Sequence, residues 1–184
     1  MSHSVYNSIV AELLPGAGVE RVVRLTGGVS ADVHRIDLKL ADDTKTSLVL
    51  RSHDTSYSGH PAELEYQLLQ VLHKSGLPVP EPMFLDTSGS FFEDPFLLVE
   101  FIEGTSEIPK AQEGHCIDSM ADMLAKIHAL PIADLPTLPM RTNPLPEVFD
   151  YLPVGEEWQD LFVHLRSLSD TECVESPKLL HGDY

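Results

Sequence analysis

Residues 25–40, LTGGVSADVHRIDLKL, decide how the first half of the chain is read. Ile36, Leu38 and Leu40 alternate with Asp37 and Lys39, the period-two pattern of a strand with one buried face. Just upstream, VERVVRLT (Val19–Thr26) is rich in β-branched residues and reads as a second strand. Gly27 and Gly28 stand between the two, where the backbone must turn tightly and no Cβ blocks close approach. After the turn ADDTK, TSLVLR (Thr46–Arg51) reads as a third strand. A short helix over Ser4–Leu14, stopped by Pro15-Gly16, precedes them. Residues 1–51 thus read as a helix followed by an antiparallel meander.

The pattern then changes. PAELEYQLLQVLHKSG (Pro61–Gly76) has proline at its start, glycine at its end and a stripe of Leu64, Leu68, Val71 and Leu72, which predicts a helix. Met83–Asp86 and Phe96–Ile102 read as two more strands, joined through TSGS. Gly114–Leu130 is a long amphipathic helix, with Ile117, Met120, Ala121, Leu124 and Ile127 on one stripe. Pro131–Pro146 is proline-rich and reads as an extended loop, and a further helix is expected over Glu156–Leu168. Strands, one helix, more strands, then mostly helices make an α+β protein with a sheet lobe and a helical lobe. The expected division falls at Glu103–Gly104, giving lobes 1–103 and 104–184.

Composition narrows the function. The 184 residues carry 29 acidic and 12 basic side chains, a net charge of -17. Such a chain is repelled by nucleic acid and by anionic membranes, so neither is an expected partner. The acids concentrate after residue 60, and the first 60 residues are nearly balanced, with six basic and seven acidic side chains. An anionic ligand is tolerated there, and a cationic one is drawn to the remainder. Two cysteines, Cys116 and Cys173, are too few for a disulfide framework. With no signal-like segment or membrane-length apolar run, a cytoplasmic location is expected. The nine histidines show no metal-ligand spacing, so no metal site is expected from them.

Four short stretches carry candidate chemistry. In LTGGVSADVHRI, backbone N–H groups of the glycine turn can point at a phosphate, with the Ser30 hydroxyl as a further donor; an ordinary hairpin has the same composition. Arg51 ends the third strand. Glu65, on the flank of the helix stripe, is placed to reach back over the sheet. A bidentate pair between them would leave guanidinium N–H groups for a phosphate. FLLVEFIEG (Phe96–Gly104) is an apolar strand running into a Glu-Gly break, which suits a hinge whose backbone can bond a flat heteroaromatic base. KLLHGD (Lys178–Asp183) ends an apolar run in His-Gly-Asp, where Asp183 could accept the proton of an attacking hydroxyl and His181 could brace the loop.

In that order, these stretches resemble the aminoglycoside phosphotransferase family, small-molecule kinases with a protein-kinase-like fold and with choline and homoserine kinase relatives. The resemblance covers nearly the whole chain. It implies ATP (or GTP) with Mg²⁺ as cofactors and a small-molecule hydroxyl as acceptor. Gly27, Gly28, Ser30 and Arg51 would hold phosphates, and Glu65 would hold Arg51. The Glu100 carbonyl and the Ile102 N–H would hold the base, and Asp183 would be the catalytic base. Most members have Lys where this chain has Arg51.

The family's Asn and Mg²⁺-binding Asp would follow Tyr184. The chain is therefore expected to be an N-terminal fragment, inactive by itself. An aminoglycoside-like cationic acceptor suits the acidic remainder. The alternatives are a catalytically inactive module that binds nucleotide or a partner protein, and an acidic interaction domain without a ligand. Apolar helix stripes left uncovered would favour a homo-oligomer.

Overall fold

The computed structural model describes residues 3–25, 32–53, 60–105, 108–138, 163 and 178–179. The first helix, α1 (His3–Leu13), buries Tyr6, Ile9 and Val10, with Leu13 packed beside them. That three-and-four spacing is one helical face. Its end is set by Pro15 and by Gly16 at φ +88°, whose site a Cβ would crowd to 3.2 Å from the Ala41 Cβ.

Five strands follow in one antiparallel sheet: β1 (Gly18–Leu25), β2 (Asp32–Lys39), β3 (Lys45–Ser52), β4 (Pro82–Asp86) and β5 (Phe96–Glu100). Their order is β1-β2-β3-β5-β4. The expected meander is present, and every expected strand is found to within two residues. The β2–β3 turn is held by the Asp42 carboxylate, which accepts from the Thr44 N–H at 3.0 Å. Asp43 there adopts φ +66°, a conformation that Asp tolerates better than most residues.

The helix α2 (Ala62–Lys74) lies in the chain between β3 and β4. It closes in a Schellman arrangement: the Leu77 N–H donates to Leu72 O at 3.1 Å and the Gly76 N–H to His73 O at 2.9 Å, with Gly76 at φ +78°. α1 packs on one face of the sheet and α2 on the other. The α1 face carries Ile36, Leu38, Leu48, Leu50, Phe96 and Leu98, all buried. The opposite face carries Leu97, Val99 and Val49 against Ala62, Tyr66 and Leu69. Strand alternation produces this division, because residues 48 and 50 point one way and 49 and 51 the other.

The orientation of α2 differs from the sequence expectation. Ala62, Tyr66 and Leu69 meet the sheet, whereas Leu64, Leu68, Val71 and Leu72 stay half-buried on another side. Ala62 is the smallest of these side chains, and its place at the contact lets the helix start close to β5. Glu65 shares the sheet-facing side.

The helix α3 spans Glu113–His128, after a 3-10 turn over Lys110–Gln112. It buries no residue, and Ile117 and Met120 on its apolar stripe are 65% and 46% exposed. A 3-10 turn at Ile132–Asp134 interrupts the start of the expected extended loop. The helix expected over 156–168 lies outside the described residues, apart from helical Val163. Among the described residues no helix is long and apolar enough to cross a membrane.

Candidate active site

The site begins with strand parity. Val49, Arg51 and His53 are alternate residues, so all three face α2. Arg51 pairs across the sheet with Val33 on one side and Leu97 on the other, so apolar neighbours flank its base. The His53 N–H donates to Pro95 O at 2.9 Å, which carries the strand path one residue past β3.

Glu65 comes down from the first full turn of α2. Its Oε1 lies 2.7 Å from Arg51 Nη1. The second oxygen, Oε2, turns to two histidines: His53 Nε2 at 2.9 Å and His60 Nε2 at 3.4 Å. His60 makes a hydrogen bond, and its ring stands 5.7 Å from that of His53 at 71°. The His53 approach is close but off the line of a hydrogen bond, and neither of its ring nitrogens has a hydrogen-bond partner.

Electrostatics follow from this packing. The Glu65 side chain is 11% exposed. Burial pushes its carboxyl up, but the His53 contact, the Arg51 guanidinium and His60 together hold it below the usual carboxylate value. Arg51 Nε is buried and makes no hydrogen bond. Glu65 thus holds Nη1 and leaves the buried Nε without a hydrogen bond.

At the far end of β5, Glu100 pairs with Leu48 across the sheet. Its N–H donates to Glu81 O at 2.9 Å, and its side chain accepts from the Glu81 N–H at 3.3 Å. Ile102 follows in irregular backbone and is 53% exposed. Between these residues, Arg35 lies over the Phe101 ring at 4.2 Å from its centroid and bonds Asp37 at 2.6 Å. Cross-strand pairing of Arg35 with Val49 puts this stack on the same sheet face as Arg51. A shallow groove of about 540 Å³ lies elsewhere, lined by Gln67, Gln70, Val71, Lys74 and Asp134–Pro136, on the side of α2 turned from the sheet.

Of the sequence-predicted site residues, the structure brings Arg51 and Glu65 together and sets Glu100 and Ile102 at the end of β5. Gly27, Gly28, Ser30 and Asp183 lie outside the described residues. Sequence reasoning missed His53 and His60. The i, i+2 alternation from Arg51 would have flagged His53. His60 precedes the helix-starting Pro61 and carried no local signal.

Comparison with known proteins bears on this arrangement. A Ralstonia eutropha JMP134 protein assigned as an aminoglycoside phosphotransferase is 17% identical, with a TM-score of 0.54 over 93% of this chain and 49% of its own. A GDP complex of an aminoglycoside 2'-phosphotransferase-IIIa variant is 14% identical, with a TM-score of 0.58 over 99% of this chain and 64% of its own. Spectinomycin phosphotransferase APH(9)-Ia, solved with ADP and spectinomycin, is 13% identical, with a TM-score of 0.52 over 94% of this chain and 49% of its own. The chain therefore spans about half to two thirds of the length of these structures, and it shares their kinase-like fold. No curated protein matches it. The model of the phosphotransferase enzyme family (APH) matches residues 21–184, nearly the whole chain. On that match, with the five-stranded sheet and its Arg51–Glu65 pair in place, this chain belongs to the phosphotransferase enzyme family.

Proposed function

We propose that the protein transfers the γ-phosphoryl group of ATP or GTP to a hydroxyl of a small molecule. One observation carries the reading: Arg51, its side chain 36% exposed, is held in place by the nearly buried Glu65 through Nη1 at 2.7 Å. In this reading Arg51 contacts the α- and β-phosphates, and Gly27, Gly28 and Ser30 cradle them. The Glu100 carbonyl and the Ile102 N–H hold the base at a hinge dividing lobes 1–103 and 104–184. Asp183 accepts the proton of the attacking hydroxyl. The relatives solved with GDP and with ADP support a nucleotide, and the one solved with spectinomycin supports a small-molecule acceptor.

Mg²⁺ belongs to the proposal as counter-ion of the phosphates. Among the described residues, the only cluster with metal-ligand geometry is His53, His60 and Glu65, which is imidazole-rich. Mg²⁺ prefers oxygen donors, so that cluster does not suit it. The net charge of -17 favours a cationic acceptor such as an aminoglycoside.

The test is transfer of labelled γ-phosphate from ATP and GTP to kanamycin, spectinomycin and neutral alcohols. The assay uses this 184-residue chain. Transfer that is lost on Asp183→Asn supports the reading. Nucleotide binding without transfer to any acceptor leaves a nucleotide-binding module. Absence of both removes the proposal.

A further inference from the structure

We propose that His53 Nε2, His60 Nε2 and a carboxylate oxygen of Glu65 form a binding site for a divalent transition-metal ion of the zinc class, which ties the end of β3 to the start of α2. No pair of these three ligand atoms is further apart than 4.8 Å. The two nitrogens lie 2.9 Å and 3.4 Å from the same oxygen. Ligands about 2.0–2.1 Å from a tetrahedral ion are about 3.3 Å from one another. The side chains are thus within a few tenths of an ångström of that spacing along both edges that include Glu65.

His53 is the second, independent observation. It is 3% exposed; its Nδ1 has no hydrogen-bond partner, and its Nε2 meets Glu65 Oε2 at 2.9 Å off the line of a hydrogen bond. A buried imidazole bonded so poorly is costly, and a metal bond at Nε2 removes part of that cost. Two imidazoles and one carboxylate form a donor set suited to zinc, with the fourth position left to water. They do not suit Mg²⁺ or Ca²⁺.

Arg51 completes the arrangement. It holds Oε1 of Glu65 at 2.7 Å while Oε2 faces the histidines. A ligating carboxylate is normally held in this way by an outer hydrogen bond. Metal at Oε2 and guanidinium at Oε1 are compatible, so the ion would reinforce the placement of Glu65. The proposal does not depend on the nucleotide reading and stands even if no nucleotide binds.

The experiment uses the full 184-residue chain after removal of metal with chelator. Zn²⁺ is titrated by calorimetry and by thermal unfolding, and Co²⁺ by visible absorption. Expected are one saturable site, a Tm rise of about 5 °C at hundredfold excess over Kd, and Co²⁺ bands of a four-coordinate nitrogen–oxygen site. His60→Ala is the informative variant, because its half-exposed side chain can be removed without opening the core. It should weaken Zn²⁺ at least tenfold and abolish the Co²⁺ bands, with an unchanged far-ultraviolet spectrum. His115→Ala, on the exposed side of α3, should leave both unchanged. A Zn²⁺ isotherm in His60→Ala equal to that of the parent, or no Tm rise with Zn²⁺, or an equal rise with Mg²⁺, overturns the proposal.

Discussion

Arg51 at the end of β3 and Glu65 in the first full turn of α2 are joined at 2.7 Å, and they are the point where helix and sheet meet electrostatically. Replacing Glu65 with Gln should therefore cost more than a surface change. The carboxylate is nearly buried, and its loss leaves Arg51, His53 and His60 without the negative charge they share. A cost of about 1–3 kcal/mol is expected in denaturant unfolding. In a double-mutant cycle with Arg51→Met, the two costs should fall short of adding. Strict additivity would mean that the pair does not couple.

The same carboxyl sets an acid limit. Its folded pKa is held below the usual value, so its contribution to stability is present above about pH 4.5. As pH falls from there through the lower folded value, that contribution is lost. Glu65→Gln should flatten the stability profile in this window alone, read as urea midpoint against pH.

His34 gives a second, separate window. On the α1 face its ring sits 6.0 Å from that of Tyr6, and its Nδ1 is buried without a partner. Burial lowers its pKa, against an opposing pull from Asp32. The unfolded chain takes up a proton near pH 6.5 while the folded chain resists, so stability should fall as pH drops below about 6.5. His34→Phe should remove that slope. A slope that persists in the variant would assign it to another group.

Phe96 tests the core. It is fully buried and meets Phe92 edge-on at 5.2 Å and Phe84 at 6.1 Å. Phe96→Ala should cost about 3–5 kcal/mol. Ile117→Ser on exposed α3 should cost under about 0.5 kcal/mol. Equal costs, compared by chemical denaturation, would contradict the core described here.

The sheet was legible because alternation is a strong local signal, and Ile36 and Leu38 reach the core that their pattern promised, with Leu40 half-buried beyond them. The facing of α2 was not. Its largest apolar side chains, Leu64, Leu68 and Leu72, outweigh Ala62, Tyr66 and Leu69 in any stripe count. The sheet contact was decided instead by close approach at Ala62 and by the charge on Glu65. The Arg51–Glu65 pairing was legible as a juxtaposition, but the two histidines that share the carboxylate were not read with it. They converge on Glu65 only once β3 and α2 are placed side by side.

The most direct test of the central claim is nucleotide affinity. ATP and GTP are titrated by calorimetry, with and without Mg²⁺, into the parent chain, Arg51→Ala and Arg51→Lys. Loss of one charge-assisted contact to phosphate is worth about 1.5–3 kcal/mol, or about 10- to 150-fold in Kd. Saturable binding to the parent, that much weakening in Arg51→Ala and partial retention in Arg51→Lys is the predicted result. Equal nucleotide affinity in the parent and Arg51→Ala, with both folded, would contradict it.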